Sequence, residues 1–421
     1  MKKIIVLSMI ICQLAVSCSS GSDGSNAIDN EIASLLQKPY SSLTPDQQKV
    51  KLENEANSML LQMESSKSST ALDAIENFGR LLSISEPSMP TARKAARTIQ
   101  EILNISDFYG VFTWNPNQEN WTSSPSTTEL KFIFPAGPSS TTNNAELTAH
   151  SISSGVKVVI DTQTGDQLNL PSSVNAILKI GGIQVGAYEA NAVYSNGDPT
   201  PVEVGYKLTL NGYVWENSAK RTTPISVKSS FSHDGKNLID FNVGSTANID
   251  KLIEGSELTQ YLGKANCLIS LMDNFVMVAY MNMEGMANDE EALYNSLTYP
   301  DYNSSNYYTD LNTYNKKMSD GEALTFNKNV KMAFVSKKDG TKLADVIQIS
   351  EKGYSYYSHQ KWNGSYWEYD PNYQGTLVQE YNTIMYLRFN DNTEVAMDVY
   401  FSSGFDNLST KFQNFINSFN Q

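Results

Sequence analysis

Apolar residues recur at helical spacing through the first hundred residues and at alternate positions after Phe108. The period of the chain therefore changes from about 3.6 to 2. Ala27 to Gln37 carries Ile28, Ile32, Leu35 and Leu36 and is predicted to form a short helix that Pro39 ends. Thr44-Pro45-Asp46-Gln47 has the form of a capping box with proline at the first helical position. The helix it opens is predicted to run to about Lys67, with Val50, Leu52, Ala56, Met59, Leu60 and Met63 as its apolar positions. Thr70 can cap a third helix, whose apolar face is Leu72, Ile75, Phe78, Leu81 and Leu82. Thr91 to Leu103 reads as a fourth, on Ala92, Ala95, Ala96, Ile99 and Ile102. Short connections favour antiparallel packing of neighbouring helices.

Beyond Phe108, tight-turn signals separate alternating runs. Gly181-Gly182, Asn211-Gly212, His233-Asp234-Gly235, Lys338-Asp339-Gly340 and Asn363-Gly364 each lie between two such runs. Asn, Asp and Gly tolerate the positive φ that two-residue hairpin turns require, so these signals predict antiparallel hairpins in series. Further strands are expected at Leu130–Phe134, Val156–Ile160, Asn274–Met283, Ile384–Phe389 and Glu394–Tyr400. Two pieces interrupt the series. Ile249 to Leu262 resembles a short helix, and Gly285 to Leu324 is a polar, Tyr- and Asn-rich insertion with a helix expected at Asp289–Ser296. A last helix, Leu408 to Phe419, places Phe412, Phe415, Ile416 and Phe419 on one face. The predicted class is α+β: an N-terminal helical region, a large curved antiparallel β-meander open like a half-barrel, and a C-terminal helix. No tandem period is visible, which disfavours a solenoid or propeller.

The first eighteen residues point to a compartment. Lys2 and Lys3 precede a mostly apolar stretch, Ile4 to Val16, too short to span about 30 Å of hydrocarbon and suited to a secretory signal. It ends in Ala15-Val16-Ser17-Cys18, and a Gly/Ser tether, Ser19-Ser20-Gly21-Ser22, follows. Cys18 resembles the acylated Cys of a bacterial lipobox, although Ala15 stands where that pattern prefers Leu. The small residues also suit an ordinary secretory cleavage that would release the product. The predicted division is signal peptide 1–17, flexible tether 18–26, helical region 27–105 and antiparallel β-sheet domain 106–421 with the insertion near 285–325. The expected site of residence is the cell envelope, as an outer membrane lipoprotein held by its acyl anchor.

The chain has 421 residues and a formal charge of −14, with 45 acids against 31 bases. Nucleic acid is therefore not an expected partner, because phosphate recognition needs clustered positive charge. After loss of the signal and acylation of Cys18, Cys267 is the remaining thiol, and its apolar neighbours predict an inert, buried group. His150, His233 and His359 lack metal-ligand spacing, and no GxSxG, Walker loop, HExxH or CxxC motif occurs. No catalytic residue, metal site or cofactor is predicted. Asp301-Tyr302-Asn303-Ser304-Ser305 begins like a calcium loop, but Asn306 and Asn312 stand where that loop needs Gly and Glu, so a solvated loop is expected.

The most distinctive patch runs from Tyr354 to Tyr369 and contains Tyr356, Trp362, Tyr366 and Trp367. Strand alternation puts Tyr354 and Tyr356 on one face and Tyr357 on the other. Such rings, flanked by Asn, Gln and Asp, can stack on sugar rings; they can equally be cross-strand pairs that stabilise a sheet.

The order of lipobox, tether, the helix opening Leu43-Thr44-Pro45-Asp46-Gln47-Gln48-Lys49, and Tyr109-Gly110-Val111-Phe112-Thr113-Trp114 at the start of the β-region resembles secreted lipoproteins of Bacteroidales. The β-part is also similar to the open, curved half-barrels of lipoprotein carriers, a likeness of fold alone. A non-enzymatic binding or structural module is the leading expectation. A glycan-binding accessory lipoprotein using Tyr356, Trp362, Tyr366 and Trp367, or a carrier of an apolar ligand in the curved sheet, are the alternatives.

Overall fold

The computed structural model describes residues 24–66, 69–87, 109–161, 166–195, 197–248, 251–252, 259–402, 405 and 410. The signal peptide, Cys18, the tether up to residue 23, the helix expected at Thr91–Leu103 and, apart from Thr410, the helix expected at Leu408–Phe419 lie outside them.

Three helices open the chain: α1 (Gly24–Leu36), α2 (Pro45–Ser65) and α3 (Thr70–Ile84). The capping box of α2 is present: Gln47 N–H donates to Thr44 Oγ1 and Thr44 N–H to Gln47 Oε1. A three-stranded group follows, β1 (Gly110–Asn115), β2 (Asn120–Pro125) and β3 (Leu130–Phe134). Hairpins then run through β4 (Ala145–Asp161), β5 (Asp166–Ile180), β6 (Ile183–Tyr194), β7 (Pro201–Leu210), β8 (Tyr213–Lys220) and β9 (Ile225–His233). They continue in β10 (Lys236–Ser245), β11 (Lys264–Leu271) and β12 (Phe275–Asn282). Two helices, α4 (Met283–Ser296) and α5 (Tyr307–Asn329), precede β13 (Val330–Ser336) and β14 (Thr341–Ser358). The chain ends its described course with β15 (Gln360–Trp362), β16 (Trp367–Tyr369), β17 (Thr376–Arg388), β18 (Glu394–Ala396) and the C-terminal helix α6 (Met397–Ser402).

Sixteen strands form one open sheet, and β15 and β16 form a separate small hairpin. All five turn signals sit at hairpins. At the β7–β8 turn, Asn211 and Gly212 have φ of 46° and 86°, the left-handed region that a primed turn demands. Pairing is antiparallel except between β1 and β3, which are parallel because β2 folds to the outer edge. The sheet is therefore the large antiparallel one expected, made mixed by a single parallel pair at that edge.

Among the described residues, the three N-terminal helices pack on strands more than on one another, unlike the antiparallel helix packing that their short connections predict. Among the described residues each of the three joins an apolar cluster with strands. Ile32 and Leu35 of α1 meet Leu268, Val276, Val278, Ala333 and Val335. Met59, Leu60 and Met63 of α2 meet Tyr213, Phe231 and Leu238. Ala71, Ala74 and Leu81 of α3 meet Phe112, Phe132, Phe134 and Leu178. Register fixes which face each cluster occupies. Phe231 pairs with Ile239 and Ile239 with Leu271, whereas Leu268 is three residues from Leu271 and points the other way. So α1 covers one face, α2 and α3 lie on the other, and the chain crosses the sheet at its hairpin-turn end. The crossing is tied to the turns. Lys51 pairs with Asp339 at 2.9 Å, Lys338 with Glu55 at 2.8 Å and Lys337 with Glu31 at 2.7 Å.

Two expected elements differ. Glu394–Tyr400 is a strand only over β18. From Met397 the chain turns helical, which buries Tyr400 against Leu387 and Phe389 and brings its hydroxyl to Pro45 O at 3.1 Å. The insertion holds two helices where one was predicted: α5 is 23 residues long and begins directly after the calcium-loop-like segment. Of the helix expected over Ile249–Leu262, Lys251 and Leu252 are helical and Thr259–Tyr261 is a 3-10 turn.

Asn211 joins turn to helix. Its Oδ1 accepts from Ser69 Oγ at 2.6 Å, Ala71 N at 2.9 Å and Thr70 Oγ1 at 3.3 Å, so a hairpin turn caps α3. Asn211→Gly keeps the positive φ and loses the acceptor, while Asn211→Ala loses both. Urea unfolding is expected to show Asn211→Ala destabilised by about 2 kcal/mol and Asn211→Gly by about half of that. The reverse order would contradict this account.

Candidate functional site

Strand β14 outruns β13 and continues as a two-stranded ribbon with β17. A strand that loses its neighbour exposes backbone donors and acceptors, which need other partners. Asparagines of α5 supply them. Asn327 donates to Gln348 O at 2.7 Å and accepts from Gln348 N at 2.8 Å. Fifteen residues earlier on the helix, Asn312 donates to Leu377 O at 2.8 Å and accepts from Gln379 N at 2.7 Å, and Asn315 donates to Gln379 O at 3.0 Å. The helix is thereby fixed across the ribbon, with its N-terminus beside the β15–β16 hairpin.

Aromatic side chains fill that junction. Trp362 and Trp367 are cross-strand partners with ring centroids 5.5 Å apart. Trp367 also meets Tyr308 edge-on at 4.7 Å and donates its indole N–H to Ser304 O at 3.2 Å. Gln360 Oε1 accepts from both Tyr302, at 2.6 Å, and Tyr308, at 2.9 Å. Tyr307 stacks edge-on with Tyr302 and Tyr308. Its hydroxyl is pushed up to about 12, first by its hydrogen bond with Tyr299 and then by burial. Burial, the largest influence, raises Tyr308 also.

The four residues singled out from sequence thus separate. Trp367 knits the hairpin to α5, and Trp362 packs on Trp367. Tyr366 stands at the hairpin tip, 59% exposed. Tyr356 lies near Tyr307 and Tyr308 of α5 and is 40% exposed. It stacks with Tyr354, 67% exposed, at 6.0 Å and 23°. The pair forms a short open platform on one strand face, as alternation requires. Its border is polar: Glu380 is exposed on the partner strand, and the Asn382 amide lies over Gly353, where a Cβ would stand 2.6 Å from Nδ2. Tyr307 and Tyr308 lie outside the patch singled out from sequence. The density of tyrosine between residues 294 and 314 was the available signal.

The other candidates have structural surroundings. Asp301 Oδ1 accepts from Asn303 N at 2.9 Å, closing a turn that leads into α5. His233 stacks on Tyr213 with centroids 4.0 Å apart, and His359 Nδ1 lies 2.8 Å from Tyr373 O. Burial raises the Cys267 thiol. Among the described residues no group of three or more His, Cys, Asp or Glu could hold a metal ion. No described helix is long and apolar enough to cross a membrane. Searches of protein-family models, curated proteins and solved structures give no match for this chain.

The two kinds of aromatic residue can be separated by experiment. Trp367→Ala removes a half-buried ring and an indole donor, at a cost of about 2 kcal/mol to the junction. Hydrogen exchange is expected to quicken across residues 299–310 and 360–369 in that variant and to stay unchanged in Tyr366→Ala. Equal exchange in the two variants would show that Trp367 does not hold the hairpin.

Proposed function

We propose that the chain is a non-enzymatic binding module of the cell envelope, tethered to the outer membrane through acylated Cys18, and that its ligand is a glycan taken on the Tyr354–Tyr356 platform. The observation that carries this reading is the pair of exposed, nearly parallel tyrosine rings on one strand face. An aromatic face offers an apolar, electron-rich surface to the C–H groups of a sugar ring, and the amide and carboxylate beside it can bond hydroxyls. The ribbon is fixed by backbone bonds to α5, so the rings are ordered before a ligand arrives and less entropy is lost on binding. Trp362 and Trp367 enter as supports: Trp362 packs on Trp367 and Trp367 on Tyr308, which holds the start of α5 at the hairpin.

Affinity electrophoresis of the mature chain through gels containing mannan, xyloglucan or arabinogalactan tests the reading. At least one polysaccharide is expected to retard the parent, and Tyr354→Ala combined with Tyr356→Ala is expected to abolish the retardation with the melting temperature unaltered. Absence of retardation on the whole set, or retardation that survives in the double variant, removes the platform. Turnover of a glycan that disappears on a single carboxylate substitution removes the non-enzymatic part.

A further inference from the structure

The tyrosine platform stands on a β-bulge. Lys352 of β14 pairs with Tyr381 of β17 and the next pair is Ser355 with Gln379, so Gly353 and Tyr354 together oppose Glu380. Two residues opposing one is an arrangement that re-aims side chains, and it recurs beside functional sites. Val378 pairs with Tyr356, and Glu380 and Asn382 follow Val378 at alternate positions, so all of them share the face of the platform. The glycine of the bulge makes room there for Asn382, whose Nδ2 would lie 2.6 Å from a Cβ at Gly353.

Charge is sorted between the two faces of the ribbon. Lys352 is the one base in residues 351–358 and 376–382, and it faces the other way with its partner Tyr381. Lys316 lies over that same Tyr381 ring at 5.7 Å and bonds Asp320 at 2.6 Å. The platform face instead carries two carboxylates, Glu351 opposite Asn382 and Glu380 opposite the bulge. Glu351 is engaged by the Tyr386 hydroxyl. Glu380 is exposed, and among the described residues nothing bonds or pairs with its carboxylate. An ionised carboxylate only accepts hydrogen bonds. Beside two exposed rings there is thus an acceptor that calls for donors, in a field that repels anions.

Resting on the reading of the platform as a glycan site, we propose that Glu380 is its specificity-determining residue and that the ligand is a neutral glycan. Hydroxyls of one sugar donate to the Glu380 carboxylate while the C–H face of the chain lies on Tyr354 and Tyr356. Glycans bearing uronate, sulfate or phosphate groups are turned away. Such a group meets the Glu380 charge at close range and presents an acceptor where the site presents another. The formal charge of −14 on the whole chain acts in the same direction.

Mannan, xyloglucan and arabinogalactan, each beside its own C6-oxidised form in which primary hydroxyls have become carboxylates, test the proposal. In affinity electrophoresis of the mature chain, the oxidised form of a retarding polysaccharide is expected to bind about tenfold more weakly at about 0.01 M salt. The two forms are expected to converge at about 1 M, where charges are screened. Glu380→Gln keeps the side-chain length and a carbonyl acceptor and removes the charge. It is expected to close the gap to about threefold or less, whatever it does to the native affinity. Glu216→Gln, exposed on β8, changes the charge of the chain equally and is expected to leave the gap at about tenfold. Equal affinity for the two forms, a gap that salt does not narrow, or one that Glu380→Gln leaves intact or Glu216→Gln narrows as much, overturns the selectivity and leaves the glycan reading standing. Failure of every native polysaccharide to retard the parent removes both.

Discussion

A single layer of sixteen strands has two faces, and burying both is the constraint on which this structure depends. A meander with helices on one side only would leave Leu268, Val276, Val278, Ala333 and Val335, or else Phe231, Tyr213 and Leu210, in water. The first sixty described residues resolve this by dividing their helices between the faces. α1 seals the first group, and α2 and α3 seal the second. The crossing takes place where the hairpin turns are, and the exposed ion pairs there fix position more than they add stability. The helical region and the sheet consequently share their hydrophobic cores.

Asparagine recurs as the residue that joins elements. Asn211 carries a positive φ in a turn and caps a helix with its side chain. Asn274 receives the Ser336 hydroxyl and the Lys338 N–H on Oδ1 and donates to Glu55, which links two turns to α2. Asn327 and Asn312 answer strand backbone groups as another strand would. A side-chain amide holds a donor and an acceptor in one plane, so it can replace a peptide group in a ladder. This lets a helix lie across a ribbon with the strand groups satisfied. The ribbon can then project beyond its neighbours without presenting a bare edge.

That projection gives the aromatic surface its form. The tryptophans are drawn inward because the indole N–H of Trp367 finds a carbonyl and its ring finds Tyr308. The tyrosines of β14 remain outside, since nothing in the junction packs over Tyr354. Packed and exposed positions fall to different residues within the one patch.

Local chemistry was legible in the sequence wherever the cause was local. Asn-Gly and Asp-Gly turns, the Thr44 capping box and the alternation of β1 and β3 each depend on neighbours a few residues away, and each is found as read. The α+β order is found as well. Asn- and Tyr-rich α5 was missed because its stability comes from strands β14 and β17, more than twenty residues later, and not from an apolar stripe. The Glu394–Tyr400 segment alternates like a strand, yet its second half coils to bury Tyr400 near Pro45, some 350 residues earlier. Sequence by itself determined the turns and the helical or strand character of most segments, since backbone preference and side-chain period act over short range. Only the tertiary structure decided which face each helix covers and which aromatics stay exposed, because those follow from register and burial between residues far apart in the chain.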